Sequence, residues 1–308
     1  MTTTTQRHAA GAGELPLAGK SALITGGSGG IGSACAAALL RDGASVTLSA
    51  RRPELLEATR QHLQPLVREG ARLATIAGDS LDKGDVKAAI ALACEHTGSL
   101  DICIPTVGGG DIKPFLLHDE TSFLKEIEFN VISAFLVIRH ATPLMARAGG
   151  GSVVCISSDS AKLTFPWLTA YTTAKCALEG MVRALAEELS RYRIRVNAVR
   201  PGLTRTEATT SIYADPETYR RFAEEKPLGR LGEPEDIAAG VRYLAGPESS
   251  WVTGQSFAIE GGGELRKAAD MAPLVEKIYG TEVFAKVLRG EDPLAPDQPD
   301  TLRPGDEY

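Results

Sequence analysis

From Ser21 onward, short apolar runs alternate with longer stretches in which apolar residues recur every three to four positions. The short runs predict strands: SALIT (21–25), ASVTLSA (44–50), ARLATIAGD (71–79), LDICIPTV (100–107), GSVVCISS (151–158), IRVNAVRPG (194–202) and a seventh near SFAIEGGG (256–263). The longer stretches predict helices over 30–41, 53–69, 83–96, 121–147 and 170–191. Pro53 suits a first helical turn, and Pro143 is expected to bend the long helix. The strands are nearly continuous in apolar residues, the pattern of a parallel sheet covered on both faces. The chain therefore predicts an α/β fold, one doubly wound parallel sheet of about seven strands with helices on both faces.

No internal repeat and no second domain interrupt this alternation. The expected organisation is a flexible tail over residues 1–16, one domain over 17–263 and an extension over 264–308. Within the extension, 265–279 is amphipathic through Leu265, Ala268, Ala269, Ala272, Leu274, Val275 and Ile278. A second short helix is expected over 281–288, and then an acidic, proline-rich tail.

Composition narrows the classes. Hydrophobic residues are 43% and charged ones 23%, ordinary for a globular protein. A net charge of −6 argues against a nucleic-acid partner. No run approaches the ~20 apolar residues of a membrane span, so no membrane partner is expected. The N-terminus has no apolar core of a secretory signal. Five cysteines form no CxxC pair and suit reduced thiols in the cytoplasm. The five histidines show no metal spacing, so no metal is expected.

The stretch SSDSAKLTFPWLTAYTTAK (157–175) concentrates the chemistry. Tyr171 and Lys175 lie four apart and share a helix face. Ser158 closes the strand before them, at the end of the sheet where ligands bind in open α/β folds. At the other end of the domain, strand SALIT runs into TGGSGGIG and a helix. Gly26, Ser28, Gly30, Ile31 and Gly32 there form a candidate pyrophosphate loop on a helix N-terminus, and the domain reads as Rossmann-type. The second strand ends in Ala50-Arg51-Arg52 where an NAD site usually presents an acid. Two guanidinium groups and no carboxylate favour NADP(H) over NAD(H). Asp79 and Ser80 are candidates for the adenine, with Asp79 equally readable as a helix cap.

TGGSGGIG, Asp79, Asn130 in EFNVISAF, ISS, YTTAK and NAVRPG stand here in one order and spacing. On these motifs the chain resembles the short-chain dehydrogenase/reductase family over about residues 17–263. It is similar to NADP(H)-preferring members like 3-oxoacyl-(acyl carrier protein) reductases and hydroxysteroid dehydrogenases. The resemblance implies that Tyr171 is the acid/base and that Ser158 bonds the substrate oxygen. It implies that Lys175 holds the nicotinamide ribose and lowers the phenol's pKa, and that Asn130 completes a proton relay to that lysine. Gly108, Pro201, Gly202, Thr204 and Thr206 would complete the cofactor site. It implies too that the long helix and the tyrosine helix form the interface of a homodimer or homotetramer.

The expected activity is interconversion of a secondary alcohol and a ketone on a medium-sized, mostly apolar small molecule. Leu116, Phe115, Leu163, Phe165, Trp167, Leu203, Tyr213, Tyr219 and Phe222 are the expected walls, with few fixed charges. One departure, PTVGGG (105–110) in place of an NNAG-like element, keeps the last glycine but lacks both asparagines, and with them the hydrogen bonding expected to tie the loop after the fourth strand to the sheet. It leaves open a catalytically silent, cofactor-binding regulatory or assembly protein on the same fold.

Overall fold

A computed structural model describes residues 15–266 and 270–294. Seven strands form one sheet: β1 (Ser21–Thr25), β2 (Ser45–Ala50), β3 (Leu73–Ala77), β4 (Ile102–Pro105), β5 (Gly151–Ile156), β6 (Ile194–Pro201) and β7 (Ser256–Ile259). Their order is β3-β2-β1-β4-β5-β6-β7, and every pair is parallel. The chain winds outward from β1 to β3, then crosses back to β4. The winding thus reverses between β1 and β4, and the two loops leaving their C-terminal ends part to open a crevice.

Helices cover both faces. On one lie α1 (Gly30–Arg41), α2 (Pro53–Leu63) and α9 (Pro234–Ala245), burying Leu39, Leu40, Leu56, Ile237 and Val241 against the sheet. On the other lie α3 (Lys83–Cys94), α5 (Ser133–Arg147) and α6 (Thr169–Leu189), through Ile90, Val137, Ile138, Met145, Leu178 and Val182. Each such side chain contributes ~1.5–3 kcal/mol of burial. The two-sided cover is why β1 is buried at all five positions.

Three helical stretches differ from the sequence expectation. α2 stops at Leu63 and passes into a 3₁₀ turn, Gln64–Leu66, because Pro65 has no N–H to continue the ladder. The long fourth helix is α4 (Glu120–Ile127), a π-helical turn (Glu128–Ile132) and α5. Its break in α-geometry falls at Asn130, while helix runs through Pro143. The Asn130 amide donates to the carbonyl of Glu126, which the widened turn sets free. In the extension, Gly263–Leu265 is a 3₁₀ turn and helix begins later, as α10 (Ala272–Tyr279) and α11 (Thr281–Leu288). The expected tails, and Ala268 and Ala269, lie outside the described residues.

The stretch Glu120–Arg147 is long and apolar enough to cross a membrane by length and composition. Here it packs on the sheet, with Val137, Ala141 and Met145 fully buried.

Candidate active site

A cavity of about 340 Å³ opens at the C-terminal ends of the central strands, with Ser158, Tyr171 and Lys175 in its wall. Ser158 caps the 3₁₀ turn Asp159–Ala161 that follows β5. Its Oγ accepts from Ser160 N at 3.1 Å and donates toward Asp159 Oδ1 and Ser160 Oγ, both at 3.2 Å. Tyr171 stands in the first turn of α6 and Lys175 one turn on, with its Nζ 5.5 Å from the phenol ring centroid. That Nζ donates to Ile156 O at 2.9 Å.

Burial governs both groups. It pushes the Lys175 ammonium down to about 8 and the Tyr171 phenol up to about 12. A hydrogen bond with Ser158 pulls the phenol back, and the Asp159 and Glu126 carboxylates push it further up. The lowering that the family resemblance implies for Tyr171 is therefore not produced by the protein's own groups. Desolvation outweighs it, and the phenol holds its proton.

Asn130 is buried behind the loop after β4. Its Oδ1 accepts from Gly109 N at 3.0 Å and its Nδ2 donates to Gly109 O at 2.8 Å. The amide thus clamps Gly109 from both sides. The loop passes so close to Tyr171 that a Cβ on Gly110 would stand 2.4 Å from the ring. The PTVGGG segment is tied to the sheet without those asparagines. Thr106 Oγ1 donates to Thr25 O at 2.6 Å, anchoring the loop to β1.

On the cofactor side, Gly26 has φ +69°, and a Cβ there would stand 2.5 Å from Thr106 Oγ1. Ser28, Gly30, Ile31 and Gly32 follow into α1, whose first turn carries no side-chain cap. Gly30 abuts Arg205 O and the Thr206 methyl, so the segment after β6 faces this helix start. Pro201, Gly202, Thr204, Thr206 and Gly108 border the same cavity. Thr204 Oγ1 turns inward to Gly202 O at 2.8 Å. Arg51 lies 5.9 Å from the Phe129 ring centroid. Arg52 is forked onto Glu207 at 2.9 and 2.5 Å, bridging β2 to the segment after Thr206. Asp79 accepts from Leu81 N at 2.9 Å, while the cap of α3 is Asp82. Ser80 is buried beside it.

Of the expected walls, Leu163, Phe165, Leu203 and Phe222 line the cavity. Trp167, Tyr213 and Tyr219 instead pack in the apolar cluster above it, and Phe115 is 62% exposed. The extension closes the top of this wall. Met271 lines the cavity, Tyr279 OH donates to Ile112 O at 2.9 Å, and Phe284 meets Trp167 edge-on at 5.6 Å.

The expectation of few fixed charges does not hold. Lys226 Nζ lies 3.3 Å from Asp159 Oδ2 and 3.7 Å from Glu260 Oε2, all with little exposure. Asp159 stands beside a candidate serine in the sequence, but nothing local pairs it with a lysine 67 positions on. Among the described residues no His/Cys/Asp/Glu group could hold a metal.

A family profile described as enoyl-(acyl carrier protein) reductase matches residues 26–264. The solved short-chain type dehydrogenase/reductase from Mycobacterium ulcerans superposes with a TM-score of 0.83 at 33% identity, covering 88% of this chain and 99% of that one. This chain belongs to the short-chain dehydrogenase/reductase family. As a member of it, the protein is an NAD(P)-dependent oxidoreductase of alcohols and ketones. It is 33% identical over 249 residues to the 7α-hydroxysteroid dehydrogenase of Escherichia coli K12, covering 81% of this chain and 96% of that one. A solved 7α-hydroxysteroid dehydrogenase, in complex with NADH and 7-oxo glycochenodeoxycholic acid, is similar at a TM-score of 0.76 and 33% identity. That match covers 81% of this chain and 96% of the other.

Proposed function

We propose that this short-chain dehydrogenase/reductase interconverts a secondary alcohol and a ketone on a medium-sized, mostly apolar molecule, with Tyr171 as acid/base and NADP(H) as preferred cofactor. One observation carries the reading: Ser158, Tyr171 and Lys175 meet in the wall of a half-open, largely apolar cavity beside the glycine loop.

The residues on the cofactor side fit a dinucleotide. An uncapped helix start suits a pyrophosphate. Arg51 and Arg52 suit a 2′-phosphate, and the end of β2 offers no carboxylate to repel one. Asp79 and Ser80 would hold the adenine end, and Gly108, Pro201, Gly202, Thr204 and Thr206 the nicotinamide end. When bound, the cofactor supplies or accepts the hydride.

The chain's own groups manage the proton and the charge. In reduction, Tyr171 OH gives its proton to the carbonyl oxygen, while Ser158 Oγ stabilises the charge that gathers there. In oxidation the step is reversed, and the positive charge of a bound oxidised nicotinamide would favour the phenolate that takes the proton back. Lys175, held by Ile156 O, places a positive charge one turn from the phenol, and Asn130 fixes the loop between them. Replacing Tyr171 by Phe should leave NADPH binding intact and cut turnover of apolar ketones by ~10²–10⁴. The assay follows absorbance of the reduced nicotinamide across a ketone and alcohol panel with both cofactors. Substantial turnover by the variant would refute the role.

Leu124 (58% exposed), Ile132 (39%) and Phe135 (44%) leave an apolar strip on α4–α5. That strip supports a homodimer or homotetramer through the helix face the family resemblance implies. A monomer by light scattering would remove this assignment. Three fully buried thiols, Cys35, Cys103 and Cys155, support a reducing compartment such as the cytoplasm.

A further inference from the structure

Asp159 follows Ser158 directly and is buried with it in the cavity wall. Its two oxygens are divided between two donors. Oδ2 accepts from Lys226 Nζ at 3.3 Å, and that ammonium also faces Glu260 Oε2 at 3.7 Å. Oδ1 accepts from Ser158 Oγ at 3.2 Å, and the described residues offer it no second donor. Lys226 is thus shared between two acids and engages only one Asp159 oxygen, which leaves Oδ1 hostile to an anion and receptive to a neutral hydrogen-bond donor.

A serine hydroxyl has one proton. Ser158 shares it between Asp159 Oδ1 and Ser160 Oγ. When that proton turns to the oxygen of a bound ketone or alcohol, Oδ1 loses its donor. A substrate with a plain hydrocarbon flank leaves the buried carboxylate oxygen unpaired. A hydroxyl on the carbon beside the reacting one restores the pairing, because neighbouring oxygens stand about one hydrogen-bond length apart. The separation to be matched, Ser158 Oγ to Asp159 Oδ1, is 3.2 Å.

We infer that the cavity selects a vicinal diol, or the matching α-hydroxyketone, and that Asp159 receives the spectator hydroxyl. The inference rests on the alcohol–ketone reading above and names its substrate class. The spectator hydroxyl is not consumed. The reacting carbinol loses its C–H as hydride to the oxidised nicotinamide and its O–H proton to Tyr171. Asp159 is thus a specificity-determining residue, and Lys226 and Glu260 position it.

The test compares kcat/KM of the protein with its cofactor on cis-1,2-cyclohexanediol, cis-2-methoxycyclohexanol and cyclohexanol. The diol is expected to exceed the other two by about tenfold, since the methyl ether keeps the oxygen but cannot donate. Asp159→Asn, whose amide N–H would turn from Lys226 to the substrate and serve an ether as well as a hydroxyl, should lower the diol-to-methyl-ether ratio by about tenfold, whatever the absolute rates. The diol against its methyl ether on the unaltered protein needs no variant to fold. Equal kcat/KM on the three compounds, or a ratio unmoved by Asp159→Asn, overturns the inference and leaves the alcohol–ketone reading standing. If none of the three, nor their ketones, turns over with either cofactor while NADPH binding is visible by fluorescence, the alcohol–ketone reading fails and this inference falls with it.

Discussion

The Lys175 ammonium is buried with the carbonyl of Ile156 as its hydrogen-bond partner, and burial draws its pKa from the usual 10.5 down to about 8. Between those two values the unfolded chain binds the extra proton, so stability rises with pH there, and below about 8 the whole penalty of the buried charge is present. Tyr171 has the opposite slope and a later window. Its phenol, raised from 10.0 to about 12, keeps a proton that the unfolded chain has lost, so its contribution falls as pH climbs above 10. Lys175→Met should therefore be more stable than the parent at pH 7, by about 1–2 kcal/mol after the lost hydrogen bond is counted. The advantage should shrink toward pH 10. Melting midpoints of both proteins across that range check it, and a parent that is the more stable at pH 7 contradicts it. The lysine is thus placed at the expense of stability, as expected of a group kept for its chemistry.

Between elements, Arg52 couples the start of α2 to the segment after β6 through Glu207. Both partners are exposed, so the pair matters less for stability than for what the guanidinium is free to bind. Glu207→Gln removes a carboxylate that competes with a 2′-phosphate. It should tighten NADP⁺ several-fold and leave NAD⁺ nearly unchanged, as read by calorimetric titration. An equal change for both cofactors would show that the pair does not touch the cofactor preference. The Arg51-Arg52 dipeptide was readable from the sequence, but its partner, 155 positions away, was not. The same contrast runs through the fold. The seven strands were legible because a strand buried on both faces writes an unbroken apolar run. The π-turn at Asn130 was not, because one residue too many in a turn leaves the apolar repeat on either side intact. Thr106 taking over the anchoring of its loop to Thr25 needed coordinates, since a threonine in an unfamiliar motif shows only what is missing. The serine, tyrosine and lysine were legible from spacing. Asp159 and Lys226 were not, because their pairing is made only by the closed fold.

At the scale of the whole molecule, the domain and the extension build one cavity. The sheet end supplies the reacting corner, α8 (Pro216–Glu224) supplies Phe222, and the extension supplies Met271. The satellite apolar cluster of Phe222, Ala223, Leu231 and Met271, with Trp167, Tyr213 and Tyr219 against it, holds this roof together. The extension thus contributes Met271 to the wall of its own chain's cavity and packs α11 against Trp167. The strip of Leu124, Ile132 and Phe135 lies on the helix that carries Asn130. Association there would place a second copy behind the loop clamp rather than over the roof.

Trp167 holds a left-handed backbone, φ 71°, which a bulky residue adopts only where its surroundings require it. The ring that packs against it belongs to Phe284, more than a hundred residues later. The consequence is one of timing. During synthesis the strand ends, the serine and the tyrosine leave the ribosome long before the residue that pins this turn. Trp167 O also accepts from Lys113 N, and its ring lies against the cluster of Phe222, Ala223, Leu231 and Met271, so Phe284 is the last of its described partners to be made. The packing around this strained turn is therefore completed only after α11 has been synthesised.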